Sequence, residues 1–370
     1  MNAGYLRGPD PIPVEHIDAI TRHKLRKLLK YALATATVGS VLMLMAGRID
    51  ITVVGAWALL GAWTGVLEEF LFGRRFRSLA IPLQLLGKAL AVNLLTLGLL
   101  LLAYKLDRGH ELPYSSDNGL LGSRSFYVLM LQVALVTTMS ILVVQVEEFM
   151  GRRFFLGFLL GWYDKPRIGE RIVLAIDLVG SSALNERLGD LLYYRFLNTT
   201  HSLMTEAVLR HGAEIHKYVG DEVIFTWHMK DGLRDDHCIA LFFDIQDRIE
   251  ANKQEMLRMF GASPQFRGGL HGGRVITAQV GHIKRSIDLS GDVMNSTSRV
   301  QTMCKEQREN LMITGDLLGR MPTARERYSI GEPLPMRVKG GKRILQVYAV
   351  KKISVPALIP QLDPALPTAH

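Results

Sequence analysis

Length, composition and charge narrow the function of this chain before any motif is considered. Its 370 residues suffice for two or three domains, and 48% are hydrophobic, with the longest apolar runs at 31–149. The net charge of +9 would be compatible with nucleic-acid binding. However, no basic face is interleaved with aromatic residues, and many of the basic residues flank apolar segments. We therefore predict a lipid bilayer, and no nucleic acid, as a partner.

Four apolar segments follow a polar, cytoplasmic N-terminal segment at 1–30. They cover about residues 31–46, 51–72, 79–106 and 126–149, and a helix needs roughly 20 apolar residues to cross the hydrocarbon. Basic residues precede the first segment, separate the second from the third and follow the fourth. The positive-inside rule therefore predicts a multi-pass membrane domain at 31–149 in the inner (plasma) membrane, with both termini in the cytoplasm.

Two copies of a short pattern suggest that this membrane domain arose by duplication. Val66–Phe76 contains Glu-Glu-Phe followed by Gly-Arg-Arg-Phe, and 146–154 contains the same two blocks. Each copy sits at the inner end of a predicted helical hairpin. We favour duplication over a chance similarity of acids and arginines at a membrane boundary.

Lys88 is the exceptional charge inside the third segment. If the helix begins at Ser78, Lys88 is deep in the membrane and functional by default; if it begins near Leu86, the amine reaches the interface. We favour the second interpretation.

A linker and a soluble domain follow the spans. Residues 150–170 are predicted to couple the two domains through a short apolar helix that Pro166 ends, and 352–370 is a proline-containing disordered tail. The domain at 171–351 is predicted to be α+β, with helices on one face of a largely antiparallel sheet. Its predicted strands are 171–177, 215–225 (a hairpin), 265–271, 274–280, 284–289, 311–314 and 345–350, and its helices are 191–211, 233–260 and 291–304.

The candidate chemistry starts at two strand ends. Asp177 ends the first strand, and Asp221 lies in the hairpin turn, four residues after Lys217. Two carboxylates on neighbouring strand ends suit a hard dication, which takes oxygen ligands. The alternative for the hairpin alone is a surface turn with solvated charges, and His216 beside it is predicted to be a packing or surface residue.

These separated motifs resemble, in their order, the catalytic domain of class III nucleotide cyclases. The resemblance covers 171–351, about half the chain, and four spans before such a domain resemble membrane-bound bacterial adenylate cyclases. It implies that Asp177, Asp221 and the carbonyl of Leu178 hold two Mg²⁺ (or Mn²⁺) ions. It also implies that Gly180, Ser181 and Ser182 receive phosphate oxygens at a helix N-terminus. The family commonly has Phe-Thr where this chain has Ser181-Ser182, so the packing there should differ.

The resemblance also implies which residues contact the base and the ribose, and how the subunits assemble. Lys217 and Asp288 would contact the base, and a lysine donor with a carboxylate acceptor favours ATP over GTP. Asn295 would orient the ribose, Arg299 would stabilise charge in the transition state, and Lys339 would contact phosphate. Because the family takes the metal-binding acids from one subunit and the asparagine and arginine from the other, the resemblance implies a homodimer with two active sites.

The sequence therefore predicts a membrane-bound adenylate cyclase that converts ATP to 3′,5′-cyclic AMP and pyrophosphate for intracellular signalling. Two alternatives stay open: a guanylate cyclase, and a membrane receptor or scaffold whose cyclase-like domain is inactive and only dimerises. The membrane region is either an anchor or a sensor, and the sequence names no ligand for it.

Overall fold

The structure of the chain is a computed structural model. It describes residues 14–45, 47, 51–70, 80–106, 123–163, 165–283, 286–337 and 344–353. These form two compact units, the first ending at Gly161 and the second beginning at Trp162. Lys339, most of the predicted tail and the basic loop between the second and third segments lie outside the described residues.

The N-terminal unit is helical. Its helices are α1 (Val14–Met45), α2 (Ile51–Phe70), α3 (Ile81–Leu106), α4 (Arg124–Met150) and α5 (Arg152–Leu159). In the described residues, α1 to α4 contain stretches long and apolar enough to cross a membrane, at Lys24–Met45, Ile51–Glu68, Pro82–Leu99 and Arg124–Met150. Four candidate membrane helices were predicted, and that prediction is confirmed.

Small residues let α1 and α2 approach closely. A Cβ on Gly61 would lie 2.4 Å from the carbonyl oxygen of Tyr31, and one on Gly39 would lie 2.6 Å from the Trp57 ring. Such close backbone contact is how helices associate in lipid, where apolar surface gives little driving force. Two ion pairs join α1 to α4: Lys30 to Glu147 at 2.8 Å and Lys27 to Glu148 at 3.2 Å.

Lys88 is buried between helices, and its helix begins earlier than the start near Leu86 on which the favoured interpretation depended. Helix α3 begins at Ile81, and Lys88 lies two turns inside it with 1% of its surface exposed. Its amine is 2.8 Å from a carboxylate oxygen of Glu68 on α2. The sequence analysis did not predict this pair because it assigned Glu68 only to the repeated motif at the membrane boundary. A buried lysine is stable here because its charge is matched at hydrogen-bond distance.

The second unit is a mixed α+β domain, as predicted. Its elements are β1 (Arg167–Leu178), α6 (Ser181–Leu188), α7 (Asp190–Arg210), β2 (Glu214–Val219), β3 (Glu222–His228), α8 (Met229–Leu233), a 3-10 turn (Arg234–Asp236), α9 (His237–Ala251), α10 (Lys253–Phe260), β4 (Phe266–Val280), β5 (Ser286–Ser290), α11 (Asp292–Gln307), β6 (Leu311–Thr314), α12 (Gly315–Leu318), α13 (Ala324–Arg327), β7 (Tyr328–Ile330), β8 (Leu334–Arg337) and β9 (Ile344–Lys352). The sheet has the order β2-β3-β1-β4-β6-β9-β7, with β5 on β4 and β8 on β9, and the β4–β6 pair is parallel.

Helices cover both faces of this sheet, so the prediction of a single covered face is wrong. Strand β1 alternates: Leu174 and Ile176 pack into the main core with α7 and α9, whereas Val173 packs with Val293 of α11 on the other face. Helix α11 comes so close that a Cβ on Gly269 would lie 2.4 Å from the main-chain nitrogen of Gln301. A strand that is buried on both sides has a continuous apolar sequence, so its sequence does not show that helices cover both faces of the sheet.

Strand β4 is continuous, although two strands were predicted around Gly272 and Gly273. The two glycines pair in register with Ile172 and Arg171 of β1 and make no turn. A Cβ on Gly272 would lie 3.0 Å from a methyl group of Leu317. Glycine at this position therefore makes room for the Leu317 side chain and does not bend the strand. The predicted helix at 233–260 is in turn divided into α9 and α10.

Both cysteines are buried in this unit. Cys238 lies in α9, and Cys304 in α11 donates from its Sγ to the carbonyl oxygen of Gly268 at 2.8 Å. Burial raises the pKa of the Cys304 thiol to about 12 and raises that of Cys238 further. Both thiols are therefore protonated packing residues.

Candidate active site

Asp177 and Asp221 come together at one edge of the sheet. Strand β1 pairs with β3 up to Ile176 opposite Val223, so the last residues of β1 lie beside the β2–β3 turn. Gly220 makes that turn with a φ of 64°, a conformation that glycine adopts without strain. The two carboxyl groups are hydrogen-bonded to each other.

The electrostatics of this pair favour a bound cation. Burial, followed by the charge and hydrogen bond of Asp221 and the charge of Glu222, raises the pKa of Asp177 to about 6. Two acids held together in this way repel when ionised, and a dication relieves that repulsion. The described residues contain no group of three or more His, Cys, Asp or Glu side chains placed to hold a metal. Two carboxylates with a main-chain carbonyl are an oxygen donor set that fits Mg²⁺, which keeps several of its waters.

We expect the metal-free protein to lose stability as the pH rises through about 6, because of Asp177. Its folded pKa of about 6 exceeds the ordinary aspartate pKa of 3.8, so its stabilising contribution is present below pH 4 and lost above pH 6. Asp177→Asn should therefore melt higher than wild type at pH 7.5 in chelator, by on the order of 1 kcal/mol for a partly solvated group, and not at pH 4. Thermal melting at both pH values tests this; a constant difference between the two proteins would contradict it.

A cleft of about 470 Å³ opens beside Asp177. Gly180, with a φ of 71°, turns the chain from β1 into α6, and Ser181 and Ser182 begin that helix. The cleft is lined by the predicted residues Asp177, Leu178, Gly180, Ser181 and Ser182. Free N–H groups and the positive end of the helix dipole at such a helix start are features that favour phosphate oxygens.

Two basic residues on this cleft were not found from the sequence. Arg267 on β4 stands directly opposite Asp177 in the sheet register, and Lys305 comes from the last turn of α11. Both bring positive charge to the place where phosphate oxygens would lie. Only the strand register brings Arg267 opposite Asp177, and no local pattern encodes that register.

Tyr193 is a third residue that the sequence did not reveal. Its hydroxyl is hydrogen-bonded to Ser181, and burial together with the charges of Asp221 and Asp177 raises its pKa. Its ring stacks on Phe196 with the centroids 6.4 Å apart. An aromatic side chain from α7 thus contacts the position at which the family commonly carries phenylalanine.

Lys217 and Asp288 form the second part of the site. Lys217 Nζ lies 2.6 Å from Asp288 Oδ1, and both side chains are partly exposed, at 43% and 33%. Burial alone would raise the pKa of Asp288, but the hydrogen bond and charge of Lys217 lower it. His216 Nε2 lies 3.2 Å from the same oxygen, a contact that the sequence analysis did not predict, although the buried side chain agrees with the packing residue that it expected.

Asn295 and Arg299 lie on α11, one turn apart. Neither lines the cleft beside Asp177; among the described residues, α11 contributes Gln301, Thr302 and Lys305 there. Arg299 donates from Nη1 to the carbonyl oxygen of Arg337, and Asn295 is exposed. The two halves of the predicted catalytic set are therefore separate within one chain. Lys339 lies outside the described residues.

Comparisons with known proteins identify the family of the second unit. The family described as "Adenylate and Guanylate cyclase catalytic domain" matches residues 164–352. Adenylate cyclase 2 of Rhizobium meliloti (strain 1021) is 39% identical over 181 residues, which are 49% of this chain and 50% of that protein. An adenylate cyclase of Anabaena cylindrica is 27% identical over 48% of this chain and 36% of its own length. The chain thus spans half or less of the length of these relatives.

One solved structure extends the similarity to the fold. A bacterial light-regulated adenylyl cyclase superposes with a TM-score of 0.51 and 21% identity, over 63% of this chain and 68% of that one. At that identity the likeness concerns the fold. It confirms the predicted α+β architecture of the second unit.

Proposed function

This chain belongs to the adenylate and guanylate cyclase catalytic domain family, and from that premise we propose that it is a membrane-bound adenylate cyclase. It converts ATP to 3′,5′-cyclic AMP and pyrophosphate as a homodimer. The acid pair, the cleft with its basic residues and the Lys217–Asp288 pair support this function. The apolar helices α1 to α4 support a place in the inner membrane, with both termini in the cytoplasm.

The phosphate end of the substrate would lie at the Asp177 cleft. Asp177, Asp221 and the carbonyl of Leu178 would hold two Mg²⁺ or Mn²⁺ ions, which when bound acidify the attacking 3′-hydroxyl and neutralise phosphate charge. The N–H groups at the start of α6 bind phosphate oxygens. Arg267 and Lys305 hold the remaining negative charge, with Lys339 as a further predicted contact.

The other groups would come from the partner subunit. Asn295 orients the ribose so that its 3′-oxygen lines up with the α-phosphate, and Arg299 stabilises the charge that develops there. The absence of both residues from the lining of the acid cleft of their own chain supports this division.

The observation that carries the choice of ATP is the Lys217–Asp288 contact of 2.6 Å. An ammonium donates to a ring nitrogen of adenine, and a carboxylate accepts from the exocyclic amine. Guanine presents a carbonyl oxygen and an N–H group at these positions, so the pair disfavours GTP. A site whose polar groups match the hydrogen bonds of one base discriminates against a second base that would leave those polar groups unpaired.

Turnover of ATP and GTP by the full-length protein, purified in detergent with Mg²⁺ or Mn²⁺, tests the proposal. We expect cyclic AMP as the product and kcat/KM for ATP at least tenfold above that for GTP. A preference for GTP would make the protein a guanylate cyclase. Turnover of neither nucleotide would favour the receptor or scaffold with an inactive cyclase-like domain.

A further inference from the structure

An irregularity in β2 places two successive side chains on the same carboxylate. Ile215 pairs with Phe225, and Lys217 pairs with Ile224, so His216 is an extra residue without a partner in β3. In a regular strand the side chains of His216 and Lys217 would point to opposite faces. A bulge re-aims them, and both His216 Nε2 and Lys217 Nζ reach Asp288 Oδ1.

Within the part of the chain that the structure describes, the side-chain hydrogen bonds of Asp288 are all on one of its two oxygens. Oδ1 accepts from Lys217 Nζ at 2.6 Å, from the main-chain N–H of Leu289 at 2.9 Å and from His216 at 3.2 Å. Oδ2 has no hydrogen-bond partner among the described residues. The carboxylate is therefore fixed with one oxygen engaged and the other available to a ligand.

The three donors differ in what happens to them when a base binds. Lys217 is 43% exposed and would turn its amine toward a ring nitrogen of the base. The side chain of His216 is 1% exposed and has no such freedom. Burial, with the neighbouring charge of Lys217, lowers the pKa of His216, so at neutral pH the imidazole is uncharged and donates through one nitrogen.

We propose that His216 is a positioning residue for base recognition: it holds Asp288 Oδ1 so that Oδ2 accepts from the exocyclic amine of adenine. The inference rests on the proposed function and adds a specificity residue to it. When Lys217 leaves Asp288 for the base, His216 and the Leu289 N–H remain to orient the carboxylate. Without His216, Asp288 gains rotational freedom, and part of its discrimination against a carbonyl oxygen at the same position is lost.

The test compares two replacements of similar length in the full-length protein. His216→Met fills the space without a donor, and His216→Gln keeps an N–H donor at a similar reach. We expect His216→Met to raise KM for ATP about tenfold, to change kcat less than threefold and to lower the ATP-to-GTP preference about tenfold. His216→Gln should stay within about threefold of wild type on all three measures.

A change in the substrate separates positioning from packing. Purine riboside triphosphate carries a hydrogen where ATP carries the 6-amino group, so it makes no contact with Asp288 Oδ2. The defect of His216→Met should shrink to about twofold or less with this substrate. Thermal melting of each variant monitors folding, and Asp288→Ala should show the same pattern more strongly.

Three results would overturn the inference while leaving the proposed function intact. They are an unchanged KM and preference in His216→Met, equal damage in the Met and Gln variants, and an equal defect with both purine substrates. A defect in melting alone has the same meaning, because it assigns His216 to packing. If wild type makes no cyclic AMP, the proposed function fails, and the inference fails with it.

Discussion

Two inactive variants, Asp177→Ala and Arg299→Ala, are expected to regain about a quarter of wild-type activity when they are co-expressed. Each alone should lose at least a hundredfold in kcat, because one lacks a metal-binding acid and the other lacks a group that stabilises transition-state charge. In a mixed dimer, one site carries both defects and the other carries neither. Random pairing makes about half of the dimers mixed, each with one working site of two.

The matched control combines two defects from the same half of the site. Asp177, near the end of β1, and Asp221, in the β2–β3 turn, belong to the same acid pair of one subunit. In a mixed dimer of Asp177→Ala and Asp221→Ala, each acid pair therefore lacks one carboxylate. This pair should show no recovery. Recovery in the control, or none in the first mixture despite dimers seen by cross-linking, would contradict the proposed division of the site between subunits.

The second large effect concerns the membrane unit. Lys88→Met should lower the free energy of unfolding by about 3–5 kcal/mol, because Glu68 would be left as an unpaired buried charge. The pair is buried on both sides, with 2% and 8% of the side chains exposed. The loss is measured as the thermal unfolding midpoint of the full-length protein in detergent.

Two comparisons make this measurement specific. Replacing both partners, Lys88→Met with Glu68→Met, should recover most of the loss, because no unpaired charge remains. Lys27→Met removes a more exposed pair with Glu148, whose side chain is 45% exposed, and should cost only about 0–1 kcal/mol. If Lys88→Met unfolds no earlier than Lys27→Met, the buried pair does not stabilise the helices.

The sequence was informative where chemistry requires a residue type at a fixed place. Lys217 and Asp288 are 71 positions apart and were expected to contact the same base; the structure brings them to 2.6 Å. Asp177 and Asp221 were expected on neighbouring strand ends, and they touch. The positions at a strand end and in a tight turn sufficed for Asp177 and Asp221, whereas the expectation for Lys217 and Asp288 came from the resemblance to the cyclase family.

The contacts that the sequence did not reveal depend on the pairing register of the strands and on which faces the helices turn to each other. Arg267 faces Asp177 only because of the pairing between β1 and β4. His216 joins the site only because one residue of β2 is not matched in β3. Glu68 and Lys88 meet because two helices turn particular faces to each other. Each of these contacts is set by tertiary packing, which a single sequence does not encode locally.

The two buried thiols make this chain a convenient host for chemical labels. Reagents that alkylate thiols attack the thiolate at accessible positions, and Cys238 and Cys304, the only two cysteines, are enclosed and protonated. A cysteine introduced at an exposed position would therefore be the reactive one in an otherwise native protein. Spin labels or fluorophores could be attached at chosen points on the membrane helices or the sheet edge without first removing the native sulfur.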